Sequence, residues 1–385
     1  MVNPIYRLCE ARELRGYSVA ELAEKLGVTR QVVYKYEGGM QRPSNETMDR
    51  IIEILDFPLS FFSSPHMGVQ IGDRPVFFRN MKTNIEKNRK MAKRWLQLLV
   101  DRVAEYEREL EIQKADLPPV DIDDFQAIDM EDVDALAEKT RRYWGLGDGP
   151  ISDLTLLMEN NGIVIAHKDL ETDKLDACSL IANGRPCVLV NTNKQTGARV
   201  LSDLAHELGH LIMHQNVEEH DIANAATLDL IERQAWRFAG SFLMPPASFT
   251  NELGYPSISK YVLLKKRWRT SIASMIMHSY DLCVITEERK QYFFRELSRN
   301  NMRKNEPFDD VLRIEKSSLL FECEQEIMRA GLRNKDELLQ ASGLNATDYC
   351  SLISAPEDYY RPQPRHPKLR LVGSNQGKQS NVSRS

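Results

Sequence analysis

Two histidines four residues apart, His206 and His210, enclose Glu207 in a His-Glu-x-x-His pattern. On a helix, positions i and i+4 share one face, so both imidazoles can meet a single metal ion. Glu207 lies beside that face, where it can act as general base on an attacking water without being a ligand. The neighbours Leu201, Leu204, Ala205, Leu208, Leu211, Ile212 and Met213 are apolar, which predicts a buried helix. Gly209 stands where a helix would favour almost any other residue by up to about 1 kcal/mol. A glycine there points to something packed close to the backbone. The alternative is a chance match on a solvated helix, and the apolar flanks and Gly209 both count against it.

A catalytic zinc site needs a third protein ligand and an open position. One pattern places a third histidine six residues after the second, but Asn216 stands there. A second pattern draws a glutamate from a following helix, and Glu232 fits. Ala235, Phe238, Ala239, Phe242 and Leu243 repeat at helical spacing after it, and Pro245-Pro246 ends the run. A carboxylate on that stripe faces the interior and needs a partner such as a metal; the alternative is a carboxylate favoured by the helix dipole. His214 is eight residues beyond His206, about 12 Å along the axis, too far to share the ion. His220 reads as a solvated loop residue. The expectation is one divalent ion on His206, His210 and Glu232: zinc, with manganese as the alternative.

The N-terminus carries a second set of signals. Ser18-Val-Ala-Glu21 is a capping box that opens a helix bearing Leu22, Ala23 and Leu26. Gly27-Val28 make a turn, and Thr29 is placed to cap a helix through Tyr36. Pro43-Ser44 start another helix, with Met48, Ile51, Ile52 and Leu55, and an earlier helix bears Ile5, Leu8, Ala11 and Leu14. Short helices around one small core, with a tight turn between the second and third, form the helix-turn-helix arrangement.

These residues resemble two families. The run from Ala198 to Pro246 resembles the ImmA/IrrE metallopeptidases, with Arg199, His206, Glu207, His210, His214 and Glu232 at the matching places. It departs at Trp236, where the family usually has a small polar residue, and at Ser202 and Asp203; these departures can reshape the groove beside the ligands. Upstream, Asp129–Gly147 and Ile151–Gly162 read as helices, and the apolar runs 163–166 and 187–191 as strands. That order is similar to the catalytic core of the family. The stretch 15–57 resembles the XRE (Cro/repressor-like) DNA-binding domain. By that resemblance Arg30, Gln31 and Lys35 face bases, Tyr34 touches backbone or sugar, and Arg42 lies on the same groove face. Arg suits guanine and Gln suits adenine. Residues 1–60 hold eight Lys and Arg against nine Asp and Glu. That balance gives some weight to the alternative of a protein-interaction module. Specific binding is expected to need a homodimer.

The implied fold is mainly α with a small β-sheet: an N-terminal helix-turn-helix bundle, an α+β zincin-like metallopeptidase domain and C-terminal helices. The expected divisions are 1–60, a connector with a long helix over 61–119, the peptidase domain over 120–300, a helical region over 301–360 and a disordered basic tail over 361–385. In the connector, residues 75–79 read as a short strand and 81–114 as a helix. The basic start of that helix suits either DNA phosphates or an ordinary solvated face. The acidic run 121–134 lacks the glycine and spacing of a calcium loop. After Pro246, Ile258–Trp268 and Ser271–Tyr280 read as helices, with Thr270 as the cap of the second. The 385 residues contain no run of about 20 apolar residues that would span a membrane. Six cysteines scattered without CxxC spacing suit reduced thiols and a cytoplasmic protein. The net charge of −5 argues against a bulk nucleic-acid binder. Two functions remain. One is a DNA-binding regulator whose zinc endopeptidase cuts a helix-turn-helix repressor or another protein, in stress or mobile-element control, as the resemblance implies. The other is a transcription factor or antitoxin whose peptidase-like domain senses a ligand or partner and cuts nothing. The intact Glu207 favours the first.

Overall fold

A computed structural model describes residues 7–63, 76–78, 86–120, 122, 124–193, 196–303 and 305–360. The expectation for the tail, 361–385, lies outside the described residues, as do parts of the strand and helix expected over 75–85.

The first helices are α1 (Leu8–Leu14), α2 (Val19–Leu26), α3 (Arg30–Glu37), α4 (Asn45–Leu55) and α5 (Leu59–Ser63). The capping box is formed: Glu21 N–H donates to Ser18 Oγ at 3.1 Å, and Ser18 N–H to the Glu21 carboxylate at 2.6 Å. Thr29 precedes α3, but its side chain makes no capping bond; its backbone carbonyl alone starts the helix. Leu22, Leu26, Val33, Ile51 and Leu55 close the small core.

The sheet follows, built of β1 (Phe77–Phe78), β2 (Val164–Lys168), β3 (Ala177–Ala182) and β4 (Arg185–Asn191), in the order β1-β3-β4-β2. β3 and β4 form an antiparallel hairpin, and β2 runs parallel to β4. The hairpin turns on Asn183-Gly184, both with positive φ, the backbone that a two-residue turn requires. Between β1 and β2 come α6 (Glu86–Tyr106), α7 (Met130–Tyr143) and α8 (Leu154–Asn160). After β4 come α9 (Gly197–Met213), α10 (Glu219–Ala223), α11 (Ala225–Leu243), α12 (Pro246–Leu253), α13 (Ile258–Trp268), α14 (Ile272–Asp281) and α15 (Glu287–Arg299). The chain continues through α16 (Leu319–Arg329), α17 (Lys335–Ser342) and α18 (Ala346–Leu352). The cap of α14 is Ser271, not Thr270, whose buried hydroxyl instead meets Met244 Sδ.

Both faces of the sheet are buried, in two different cores. Ile165, Val188 and Val190 face α9, α11 and the helices beyond. Val164, Ala166, Leu180 and Leu189 share a core with the helix-turn-helix bundle, α6 and the C-terminal helices. α6 is the element that joins these parts. Trp95 Nε1 donates to the Leu14 carbonyl at 3.2 Å, Arg94 pairs with Glu13 at 2.7 Å, and Lys87 pairs with Glu21 at 2.9 Å. Two residues of the basic start of this helix, Lys87 and Arg94, are thus engaged by acids of α2 and α1. Among the described residues no helix is long and apolar enough to cross a membrane.

Candidate metal centre and DNA-facing helix

α9 and α11 pack closely, and Gly209 is what permits it. A Cβ at that position would lie 3.2 Å from the Phe238 ring and 3.3 Å from the Ala235 backbone. The approach brings His206 and His210 on α9 against Glu232 on α11. The two histidine Nε2 atoms are 2.9 Å apart. The Glu232 carboxylate lies 3.6 Å from His206 Nε2 and 3.5 Å from His210 Nε2. Both imidazoles are fully buried, while the Glu232 side chain is 20 % exposed, so the group opens to solvent on that side.

A chain of hydrogen bonds fixes how His210 is protonated. Gln234 Nε2 donates to the carbonyls of Phe125 (2.8 Å) and Ile128 (3.1 Å), which turns Gln234 Oε1 toward His214 Nε2 at 3.0 Å. His214 therefore donates through Nε2. Burial and the neighbouring His210 push its pKa down to about 3, which keeps it neutral. Its Nδ1 is left as acceptor for His210 Nδ1, 3.0 Å away. His210 thus donates outward and turns an unprotonated Nε2 toward His206 and Glu232. A second ring nitrogen 2.9 Å from that lone pair calls for a proton or a cation between them.

The residues fit a divalent metal. Two imidazole nitrogens and a carboxylate oxygen lie within 4.8 Å of one another. Ligand atoms of a tetrahedral site with bonds of about 2.0–2.1 Å stand roughly 3.3 Å apart, close to the separations found. Beside them Glu207 is fully buried, and Ser179 Oγ on β3 donates to its Oε2 at 2.5 Å. The Trp236 ring lies 4.3 Å from that of His206 and covers it.

Several of these residues escaped the sequence reading. Ser179 lies on a strand that was not foreseen, although Asn183-Gly184 between two apolar runs was a usable hairpin signal. Gln234 carried no signal at all. His214 stands apart from the group of His206, His210 and Glu232 and bonds to His210. His220 is exposed beside Glu218. Within the acidic run, Asp124 and Asp129 cap helical turns, and Asp134 pairs with Arg237. Asp121 and Asp123 lie outside the described residues.

On α3, Val33 and Tyr36 turn into the bundle, and Arg30, Gln31, Tyr34 and Lys35 are exposed, as is Arg42 beyond the helix. An ion pair of 2.6 Å between Arg12 and Glu37 ties the end of α3 to α1.

Comparison with known families agrees with both regions. Residues 10–62 match a helix-turn-helix family model. Residues 158–279 match the peptidase M78 model, described as an IrrE N-terminal-like domain. The chain joins an XRE-type helix-turn-helix to an IrrE N-terminal-like domain. A short stretch of the chain is similar to two proteins provisionally named HTH-type transcriptional regulatory proteins. The relative from Methanocaldococcus jannaschii is 50 % identical over 52 residues, which are 14 % of this chain and 16 % of the relative. The one from Pyrococcus furiosus is 51 % identical over 53 residues, 14 % and 17 % of the two chains. The chain thus spans about a sixth of the length of the curated relatives it matches. The matched regions give the chain a helix-turn-helix segment and an M78 peptidase-like region.

Proposed function

We propose that this chain is a DNA-directed regulator with a metal-dependent endopeptidase, which cuts a helix-turn-helix repressor in stress or mobile-element control. The observation that carries the reading is the convergence of His206, His210 and Glu232 with a buried Glu207 held by Ser179. His206, His210 and Glu232 would hold the ion: zinc, with manganese as the alternative. Bound there, it would supply Lewis acidity toward the scissile carbonyl and toward an attacking water, enough for the water to lose a proton near neutral pH. Glu207 takes that proton and passes it to the leaving amine nitrogen, acid–base work that contributes about 10²–10⁴-fold. Ser179 keeps the Glu207 carboxylate aimed. The helix-turn-helix brings the chain to its operator, and two copies would read two half-sites about one helical turn apart.

The test compares the wild type with Glu207→Gln, each loaded with zinc or manganese and incubated with the repressor encoded beside the gene. Glu207→Gln keeps the metal, because Glu207 is not a ligand, and loses cleavage by about 10²-fold or more. Mass spectra with no fragments from the wild type, or the same fragments from both, would replace this reading with that of a non-proteolytic sensor.

A further inference from the structure

The strand that holds Glu207 has one edge turned away from the rest of the sheet. β3, six residues from Ala177 to Ala182, pairs with β4 along its whole length. Among the described residues its other edge meets β1 alone, the two residues Phe77 and Phe78. Phe77 stands opposite Ser179 and Phe78 opposite Cys178, antiparallel. Opposed Cα atoms of such a pair are about 4.5–5.5 Å apart. Ser179 Oγ in turn reaches Glu207 Oε2 at 2.5 Å. The backbone of Phe77 therefore runs within roughly 10 Å of the Glu207 carboxylate.

A strand edge is a row of N–H and C=O groups, and a peptide that adds to it gains main-chain hydrogen bonds. β4 closes the inner edge of β3, so an added strand takes the line that β1 occupies, about 4.7–4.9 Å from β3. β1 is held on that line by its neighbours in the chain. Val76, just before it, is buried in the core that contains Leu180. α5 and α6, on either side of it in sequence, are fixed in the same core through Phe61, Phe62, Ala92 and Trp95. A segment tethered in this way reaches an effective concentration on the order of millimolar at its edge.

We propose that β1 is an intramolecular competitor of substrate: the connector between the helix-turn-helix and α6 takes the outer edge of β3, and a substrate displaces it to pair there. The proposal rests on the proteolytic reading above. It also names the kind of segment that succeeds. β1 covers two of the six residues of β3. An extended stretch of five or six residues therefore gains ladder hydrogen bonds that β1 does not make, and a protein that cannot release such a stretch is not cut.

Two variants of the full-length chain move β1 in opposite directions. Val76→Asp places a charge in the core and unseats the strand. Phe78→Cys stands opposite the free Cys178, at a spacing that a disulfide fits, and a bond between the two locks the strand in place. The probe is a fluorescein-labelled peptide of residues 73–80, titrated into metal-free protein and read by anisotropy. Val76→Asp binds it at least about tenfold tighter than the wild type. Phe78→Cys, made in an oxidising host, binds it at least about tenfold more weakly than the same protein after reduction. With zinc loaded and the repressor encoded beside the gene as substrate, Val76→Asp lowers KM at least about tenfold and leaves kcat unchanged. Far-UV circular dichroism checks the fold; should Val76→Asp fail to fold, the oxidised and reduced forms of Phe78→Cys carry the test alone. Peptide binding indifferent to the lock, or failure of the disulfide to form, would overturn the proposal. Peptide binding that follows the variants while nothing is cut supports the competition for the edge and removes the proteolytic reading.

Discussion

The tautomer of His210 is set by residues that never reach the metal position. Gln234 is oriented by two backbone carbonyls, it orients His214, and His214 accepts from His210 Nδ1. Such partners raise ligand basicity and hold the ring, and their loss typically costs about 10–100-fold in metal affinity. His214→Phe keeps a ring of similar shape against Phe125, whose centroid lies 6.0 Å away, but leaves His210 Nδ1–H without an acceptor. Chelator competition is expected to show zinc affinity reduced by about 10–100-fold, while far-UV circular dichroism stays that of the wild type. Unchanged affinity would mean that His210 finds its tautomer without the relay. The grouping of His206, His210 and Glu232 was legible in the sequence, because spacing on a helix fixes which side chains share a face. The relay was not, because Gln234 meets His214 only once α11 has packed against α9 and the 125–128 segment has folded over both.

At the scale of elements, local rules were legible and tertiary ones were not. The capping box at Ser18, the α13 bounds Ile258–Trp268 and the close packing at Gly209 followed from sequence alone. Thr29 stands at the N-cap of α3 but makes no side-chain bond there, and Ser271 in place of Thr270 caps α14, the Thr270 hydroxyl meeting Met244 Sδ instead. β3 was missed because Ala177–Ala182 is nearly all buried and lacks the alternation that marks a half-buried strand. α3 illustrates an element whose role follows from what it leaves exposed. Val33 and Tyr36 anchor it, and the opposite face offers Arg30, Gln31 and Lys35. A bidentate side-chain contact to one base discriminates by about 1–3 kcal/mol. In anisotropy titrations against the upstream region of the gene, Arg30→Ala is expected to bring affinity for that DNA to within about threefold of affinity for random sequence. It should leave the melting temperature unchanged, because Arg30 is exposed. Equal wild-type affinity for both DNAs would assign the bundle to protein contacts.

At the scale of the molecule, the helix-turn-helix is built into the same core as one face of the peptidase sheet, and Asp348 is the polar tie between them. Its carboxylate receives Arg15, at the end of α1, at 2.6 Å and Lys168, at the end of β2, at 2.8 Å. Asn345, which caps α18, donates to Asp348 and to the Asp56 carbonyl after α4. Burial alone would raise the pKa of Asp348, but Lys168 and Arg15 outweigh it and hold the carboxyl below its ordinary value. A carboxylate with a depressed folded-state pKa stabilises the fold above the unfolded value, about 3.9, and loses that contribution as pH falls through the folded value. Asp348→Asn keeps the shape and removes the charge, leaving Arg15 and Lys168 with a neutral partner, at a cost of about 2 kcal/mol at pH 7. Urea unfolding is expected to show that difference from pH 7 down to about pH 4 and to show it shrinking below pH 4, where the wild-type carboxyl also protonates. Because the two modules share a core, circular dichroism and tryptophan fluorescence should report one coincident transition in both proteins. Two separate transitions, with only the earlier one shifted by Asp348→Asn, would show instead that the bundle is a detachable module and that the shared core contributes little to its stability.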